Sequence, residues 1–153
     1  MSIWYRVSPI ENVQKVFSGD GGLYVPGRWN HLGKRIIYCS ESIALCTLEW
    51  LAHNGLSVSG FDYYRYSINV PDNLIKRFSH AKVPKDWDAS PATDSTRDFA
   101  EEHLFVDDSS LAIAVPSVIV PEEYNLLINP LHMAFQNVFH SICLLGQHCA
   151  PTR

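Results

Sequence analysis

Apolar and polar positions alternate most clearly between Phe61 and Val70, where Tyr64, Tyr66, Ile68 and Val70 stand opposite Tyr63, Arg65, Ser67 and Asn69. A period of two predicts a strand with one apolar face and one more polar face. Ile3 to Val7 predicts a shorter first strand, and Arg35 to Cys39 predicts another because β-branched and aromatic residues sit together there. From Leu111 to Val120 the chain is apolar almost throughout, which suits a strand covered on both faces. Pro116 within it lacks an N–H and requires an edge or a bulge. Leu126 to Ile128 forms a further short strand before Asn129-Pro130.

Between these strands the spacing becomes helical. Ala44, Leu48, Leu51 and Ala52 fall on one helix face, with Ser40 as the predicted cap, Glu41 in the first turn and Asn54-Gly55 as the stop. Asp94 or Ser95 caps a second helix carrying Phe99, Ala100 and Leu104. Ser18 to Gly22 is glycine-rich and predicts a flexible loop, Pro71-Asp72-Asn73 ends the long strand, and 80–91 is irregular around Pro84 and Pro91. No repeat or linker divides residues 1–153. Irregular alternation of strands and helices predicts one α+β domain with a mixed, mainly antiparallel sheet.

Composition narrows the function classes. Hydrophobic residues make up 46% and charged residues 18% of 153, so the chain can bury a core and is not a disordered polymer. A net charge of -4 weighs against direct nucleic-acid binding. No basic leader precedes an apolar run, and Leu111–Val120 is too short to span a membrane, so a cytoplasmic protein without membrane contact is expected. Cys39, Cys46, Cys143 and Cys149 form no Cys-x-x-Cys pair and read as reduced, mostly buried thiols. His140, Cys143, His148 and Cys149 match no zinc spacing, and no metal is expected.

Three features carry candidate chemistry. Gly27-Arg28-Trp29-Asn30 offers an arginine fork suited to phosphate beside a glycine that allows close approach; it also reads as a surface turn with its tryptophan on the core. Glu49 lies among Cys46, Leu48, Trp50 and Leu51 at the border of the apolar stripe, where a carboxylate needs a partner or serves a site, although many helices carry a glutamate on the solvated face. Ser117 interrupts the apolar run, and a buried serine there ordinarily bonds backbone. No Gly-x-Ser-x-Gly elbow and no Gly-x-x-x-x-Gly-Lys loop occurs. Gly19-Asp20-Gly21-Gly22 has no evident helix after it to aim at a phosphate.

Taken in order, Gly27-Arg28-Trp29-Asn30, Gly33, Ile37-Tyr38-Cys39-Ser40, Leu48-Glu49, Val115-Pro116-Ser117, Asn125 and Ile128-Asn129-Pro130 resemble the RES domain. That family is named for an arginine, a glutamate and a serine, here Arg28, Glu49 and Ser117. The likeness runs from Tyr5-Arg6 to about Phe135. It implies a fold similar to ADP-ribosyltransferase toxins, and a toxin of a bacterial type II toxin–antitoxin pair whose partner is an Xre-type helix-turn-helix antitoxin. It implies NAD+ as substrate, with no separate cofactor, and cleavage of the nicotinamide–ribose bond. The same resemblance makes Glu49, Arg28 and Tyr38 the catalytic group, Glu49 supplying negative charge, Arg28 with Arg6 gripping the pyrophosphate and Tyr38 orienting the nicotinamide. Ser117 and Asn30 are expected to fix Arg28 or a ribose hydroxyl. Two alternatives stand: a mono-ADP-ribosyltransferase acting on a host protein, and an inactive antitoxin-binding relative. The second is raised by the C-terminus, Gly-Gln-His-Cys-Ala-Pro-Thr-Arg, where the family usually has a strand bearing an aspartate and an arginine.

Overall fold

The computed structural model describes residues 1–55 and 62–148. Its seven described strands form one sheet in the order β4-β5-β6-β2-β1-β3-β7: β1 Ser2–Ser8, β2 Ile37–Ser40, β3 Tyr63–Val70, β4 Ile75–Arg77, β5 Ala112–Pro116, β6 Tyr124–Ile128 and β7 Cys143–His148. Every neighbouring pair is antiparallel except β4 with β5. Among the described residues five α-helices accompany it: α1 Val13–Val16, α2 Gly21–Tyr24, α3 Ile43–Asn54, α4 Asp94–Ala100 and α5 Phe135–Phe139. The fold is α+β with a mainly antiparallel sheet.

Register sorts the side chains. Ile37 and Cys39 of β2 stand opposite Ile128 and Leu126 of β6, which stand opposite Ala112 and Ala114 of β5. Facing pairs in a ladder share a sheet face. These residues join Trp4, Phe17, Tyr66 and Ile68 in one buried cluster, with Phe135 and Val138 of α5. Tyr38, Leu127 and Ile113 turn to the other face and pack with Trp29, Ala100 and Leu104. Sheet faces covered on both sides explain why Leu111–Val115 reads as unbroken apolar sequence.

Several local expectations shift. The helix cap is Ser42, whose hydroxyl accepts from Leu45 N at 3.0 Å, while Ser40 closes β2 opposite Asn125. Residues 18–22 are not an open loop, and a helical turn does follow the glycines at Gly21–Tyr24. Gly22 is buried, and a Cβ there would run into the Lys34 carbonyl, so this glycine serves close packing. Pro116 sits where β5 is locally an edge, as its missing N–H requires. Ser117 N–H turns toward β6, bonding Glu123 O at 2.9 Å, so the position before it faces the β4 side, past the last paired residue of β4. The second helix starts at Asp94 and runs on as a π-helical stretch, Glu101–Val106. Unforeseen elements are α1, α5, β4 and β7. Phe61, the expected first residue of the long strand, lies outside the described residues.

Candidate active site

α3 brings Glu49 to the end of the sheet where β2 and β6 meet. After Ser40 the chain is fastened at the turn, with Glu41 Oε1 accepting from Tyr124 N at 2.9 Å and Ser42 Oγ donating to Glu123 Oε1 at 2.9 Å. The helix then packs on β1 and β2 through Leu45 and Cys46. Glu49, one turn beyond Leu45 on the same side, is half-buried and reaches back over β6. Its Oε1 accepts from Ser117 Oγ at 2.7 Å and from Asn125 Nδ2 at 2.6 Å. Among the described residues Oε2 takes no hydrogen bond. Asn125 is itself held, its Oδ1 accepting from Ser40 Oγ at 2.7 Å.

Ser117 is fully buried, and its oxygen also accepts from Ile119 N at 3.0 Å and Val120 N at 3.1 Å. The expectation that it fixes Arg28 or a ribose hydroxyl is corrected by these contacts: its hydroxyl proton goes to Glu49.

The second group gathers around Tyr38. Its phenol donates to Asn30 Oδ1 at 2.5 Å, which also accepts from Gly27 N at 2.9 Å. Asn30 Nδ2 donates to the carbonyls of Val25 and His31, leaving the 2% exposed side chain fully engaged. Asn30 therefore holds Tyr38 and the turn, and does not touch Arg28 through its side chain. A Cβ on Gly27 would stand 2.4 Å from Asn30 Oδ1 and 2.6 Å from the phenol oxygen, so only glycine fits. α4 clamps the same turn: Thr96 donates its hydroxyl to Arg28 O, and Arg97 Nε donates to Gly27 O at 2.8 Å.

Arg28 is half-buried, with Nη1 donating to Trp87 O at 2.9 Å and Ala89 O at 2.7 Å. No carboxylate pairs with it among the described residues. Burial drives the Tyr38 pKa well above 10.0, against a pull from the Trp29 backbone and the positive charges of Arg97 and Arg28. The phenol is therefore protonated and a donor at neutral pH.

Register joins the two groups. Tyr38 and Ser40 are two apart on β2, and Asn125 faces Ser40, so Tyr38 and the residue holding Glu49 share one sheet face, about 7 Å apart along the strand. Arg6 does not enter. Its Nε donates to Val16 O at 3.0 Å and its Nη1 to Tyr38 O at 2.8 Å, so it ties α1 to the backbone of β2. Two shallow concavities of about 370 and 360 Å³ open near Arg35 and Leu131, at the far end of β2, and neither is lined by Arg28, Tyr38 or Glu49. The candidate site rests on side-chain arrangement.

The family model described as the RES domain matches residues 3–148. The chain belongs to the RES-domain family. This RES-domain protein is 35% identical over 138 residues to "Toxin Res" of Yersinia enterocolitica, covering 90% of each chain. It is 41% identical over 120 residues to the "Prs ADP-ribosylating toxin" of a Sphingobium species, covering 75% of this chain and 73% of that one. Its fold is also that of a chain in the crystal structure of the M. tuberculosis MbcT–MbcA toxin–antitoxin complex, with a TM-score of 0.67 at 16% identity, covering 97% of this chain and 83% of that one.

Sequence reasoning missed Asn125 as the partner of Glu49 and Arg97 as a neighbour of Arg28. An amide within the short apolar run of β6 was the available signal for Asn125. Nothing in the local pattern marked Arg97. No described helix is long and apolar enough to cross a membrane. Among the described residues no group of three His, Cys, Asp or Glu side chains gathers as a metal site; Cys149 and the His148 side chain lie outside them.

Proposed function

We propose that this RES-domain protein is the toxin of a toxin–antitoxin pair and cleaves the nicotinamide–ribose bond of NAD+ at Glu49. The observation that carries the reading is the pinned carboxylate: Oε1 held by Ser117 and Asn125, Oε2 left to act, on the sheet face that bears Tyr38. In NAD+ the nicotinamide leaves as a neutral molecule, taking the C–N bonding pair, so its departure needs no general acid. The ribose is left as an oxocarbenium ion, and a fixed negative charge beside it lowers the barrier without reorganising at the moment of reaction. Water then adds at C1′ and loses a proton, giving ADP-ribose; phosphate in place of water gives the 1-phosphate.

In this reading Arg28 meets the pyrophosphate and Tyr38 packs against the nicotinamide. Asn30 and Ser117 position Tyr38 and Glu49, and Arg6 holds the backbone between them. The partner is an antitoxin of the Xre type that covers the NAD+ entrance, and NAD+ is consumed as substrate. A second reading keeps the site and gives the ADP-ribose to a protein side chain; the 41% identity to a relative named as ADP-ribosylating favours it.

Purified protein incubated with NAD+ should release nicotinamide, and Glu49→Gln should lower the rate roughly a hundredfold or more while the protein stays folded. Labelled NAD+ with lysate separates the fates: free ADP-ribose means hydrolysis, label on a protein band means transfer. Equal release by Glu49→Gln ends the assignment of Glu49. A folded parent that neither releases nicotinamide nor labels protein is the inactive relative.

A further inference from the structure

Two arginines meet at the turn beside Tyr38: Arg28 belongs to it, and Arg97 of α4 donates to the carbonyl of Gly27 at 2.8 Å. Arg28 and Arg97 both bring positive charge to Tyr38, Arg97 the more strongly. Arg97 Nε sits on the carbonyl of Gly27, whose α-carbon lies against the Tyr38 hydroxyl. Its Nη1 reaches Asp94 at 3.0 Å, a carboxylate 75% exposed, whereas the Arg97 side chain is only 19% exposed. Among the described residues no carboxylate pairs with Arg28, and its Nη1 rests on main-chain carbonyls. Two part-buried positive charges held at one turn, with a single solvated carboxylate on Arg97, make a favourable place for an anion. This occurs in a chain whose net charge is -4, where acidic partners are plentiful. Among the described residues both arginines keep an Nη2 without a hydrogen bond, so each retains a donor for a phosphate oxygen.

We propose that Arg97 is the second half of a diphosphate-binding site, its guanidinium and that of Arg28 receiving the pyrophosphate of the dinucleotide beside Tyr38. This rests on the NAD+ reading and adds a specificity-determining residue to it: one arginine suits a single phosphate, and two suit a diphosphate. NAD+ is then preferred over nicotinamide mononucleotide, which carries the same scissile bond and one phosphate.

The test is titration of ADP-ribose and of adenosine into the parent, Arg97→Gln and Arg97→Lys by calorimetry, with steady-state kinetics on NAD+ and the mononucleotide alongside. ADP-ribose affinity should fall 10–100-fold in Arg97→Gln, the range expected for a lost charge-assisted bond. Arg97→Lys should recover part of it, and adenosine affinity should be unchanged. In turnover, KM for NAD+ should rise more than kcat falls, and the preference for NAD+ should shrink. Unchanged ADP-ribose affinity overturns the proposal. So does an equal loss for adenosine, or a lower melting temperature in Arg97→Lys with no recovery of binding, because each marks a merely structural arginine. A parent that binds ADP-ribose but, even with lysate present, neither releases nicotinamide nor labels protein refutes the NAD+-cleavage reading and leaves the diphosphate site judged on binding.

Discussion

Asn125 Nδ2 stands 2.6 Å from Glu49 Oε1, and the other end of the same amide accepts from Ser40 Oγ at 2.7 Å. The amide carries orientation from the sheet to the helix: with its oxygen committed to the Ser40 hydroxyl, its NH2 must face the carboxylate. Glu49 is thus aimed by a strand pairing, β2 with β6, that involves none of its own helix.

That arrangement separates two substitutions of nearly equal size. Asn125→Asp puts a second carboxylate against Glu49, and two such groups at this distance cannot both ionise easily. The acid limb of the NAD+-cleavage profile should move to higher pH by about a unit or more. Asn125→Leu should lower kcat roughly 10–100-fold, the cost of a lost bond to a charged group, and move the limb less than Asn125→Asp, because it removes a donor without adding a charge. Superimposable pH profiles for Asn125→Asp and the parent would falsify the pairing.

Ser117 has both a structural and an orienting task. Removing its oxygen takes the acceptor from two N–H groups, of Ile119 and Val120, and unpins Glu49. Ser117→Ala should therefore cost about 1–3 kcal/mol in urea unfolding and also lower kcat. A stability loss with full kcat would confine Ser117 to the turn.

Strand pattern was the most legible part of this chain. The alternation at Tyr64, Tyr66, Ile68 and Val70 is β3, and the apolar run from Leu111 is β5, because burial on one or both faces writes itself directly into residue type. β4 could not be seen: Ile75–Arg77 is three residues, too short for a period. β7 mixes two leucines with Gly146 and Gln147 around a register shift at Arg65/Tyr66, so its alternation breaks. Cap placement failed because serines stand at both 40 and 42, and only the ladder decides which one is free to cap. At the site, Arg28, Glu49 and Ser117 were legible as an ordered set. Their partners were not, since Glu49 with Asn125 spans 76 positions and depends on register. The resemblance puts Arg6 on the pyrophosphate, and Asn30 and Ser117 on Arg28 or a ribose hydroxyl. Their hydrogen bonds are instead committed to backbone and to neighbouring side chains.

The Gly27 turn predicts a site-specific clash. An alanine there would press its methyl on Asn30 Oδ1 and on the Tyr38 phenol, and the Asn30 oxygen cannot yield easily because it also accepts from Gly27 N. Gly27→Ala should destabilise by roughly 1–3 kcal/mol and weaken ADP-ribose binding together with it. Chemical denaturation and calorimetry on the same preparation check this; unchanged stability would mean the turn is looser than described.

Three buried acids set the behaviour at high pH. Burial pushes the Cys39 and Cys46 thiols from 9.0 up to about 12, outweighing the pull of Arg6, and lifts Tyr38 above 10.0. In each the folded state favours the protonated form. Below pH 9 both states hold these protons and their contribution is fully present. As pH rises from 9 to 12 the unfolded chain releases thiol protons that the folded chain keeps, so unfolding is favoured progressively. Each thiol can contribute up to about 1.4 kcal/mol per pH unit inside that window. Under reducing conditions the urea midpoint of the parent should fall steeply between pH 8.5 and pH 10.5 (roughly the accessible part of the window). Cys39→Ala/Cys46→Ala, although less stable at pH 7 from lost packing, should show a flatter decline over the same range. Parallel declines in the two proteins would mean that these thiols ionise in the folded chain as readily as in water, and that the interface of α3 with β1 and β2 admits solvent.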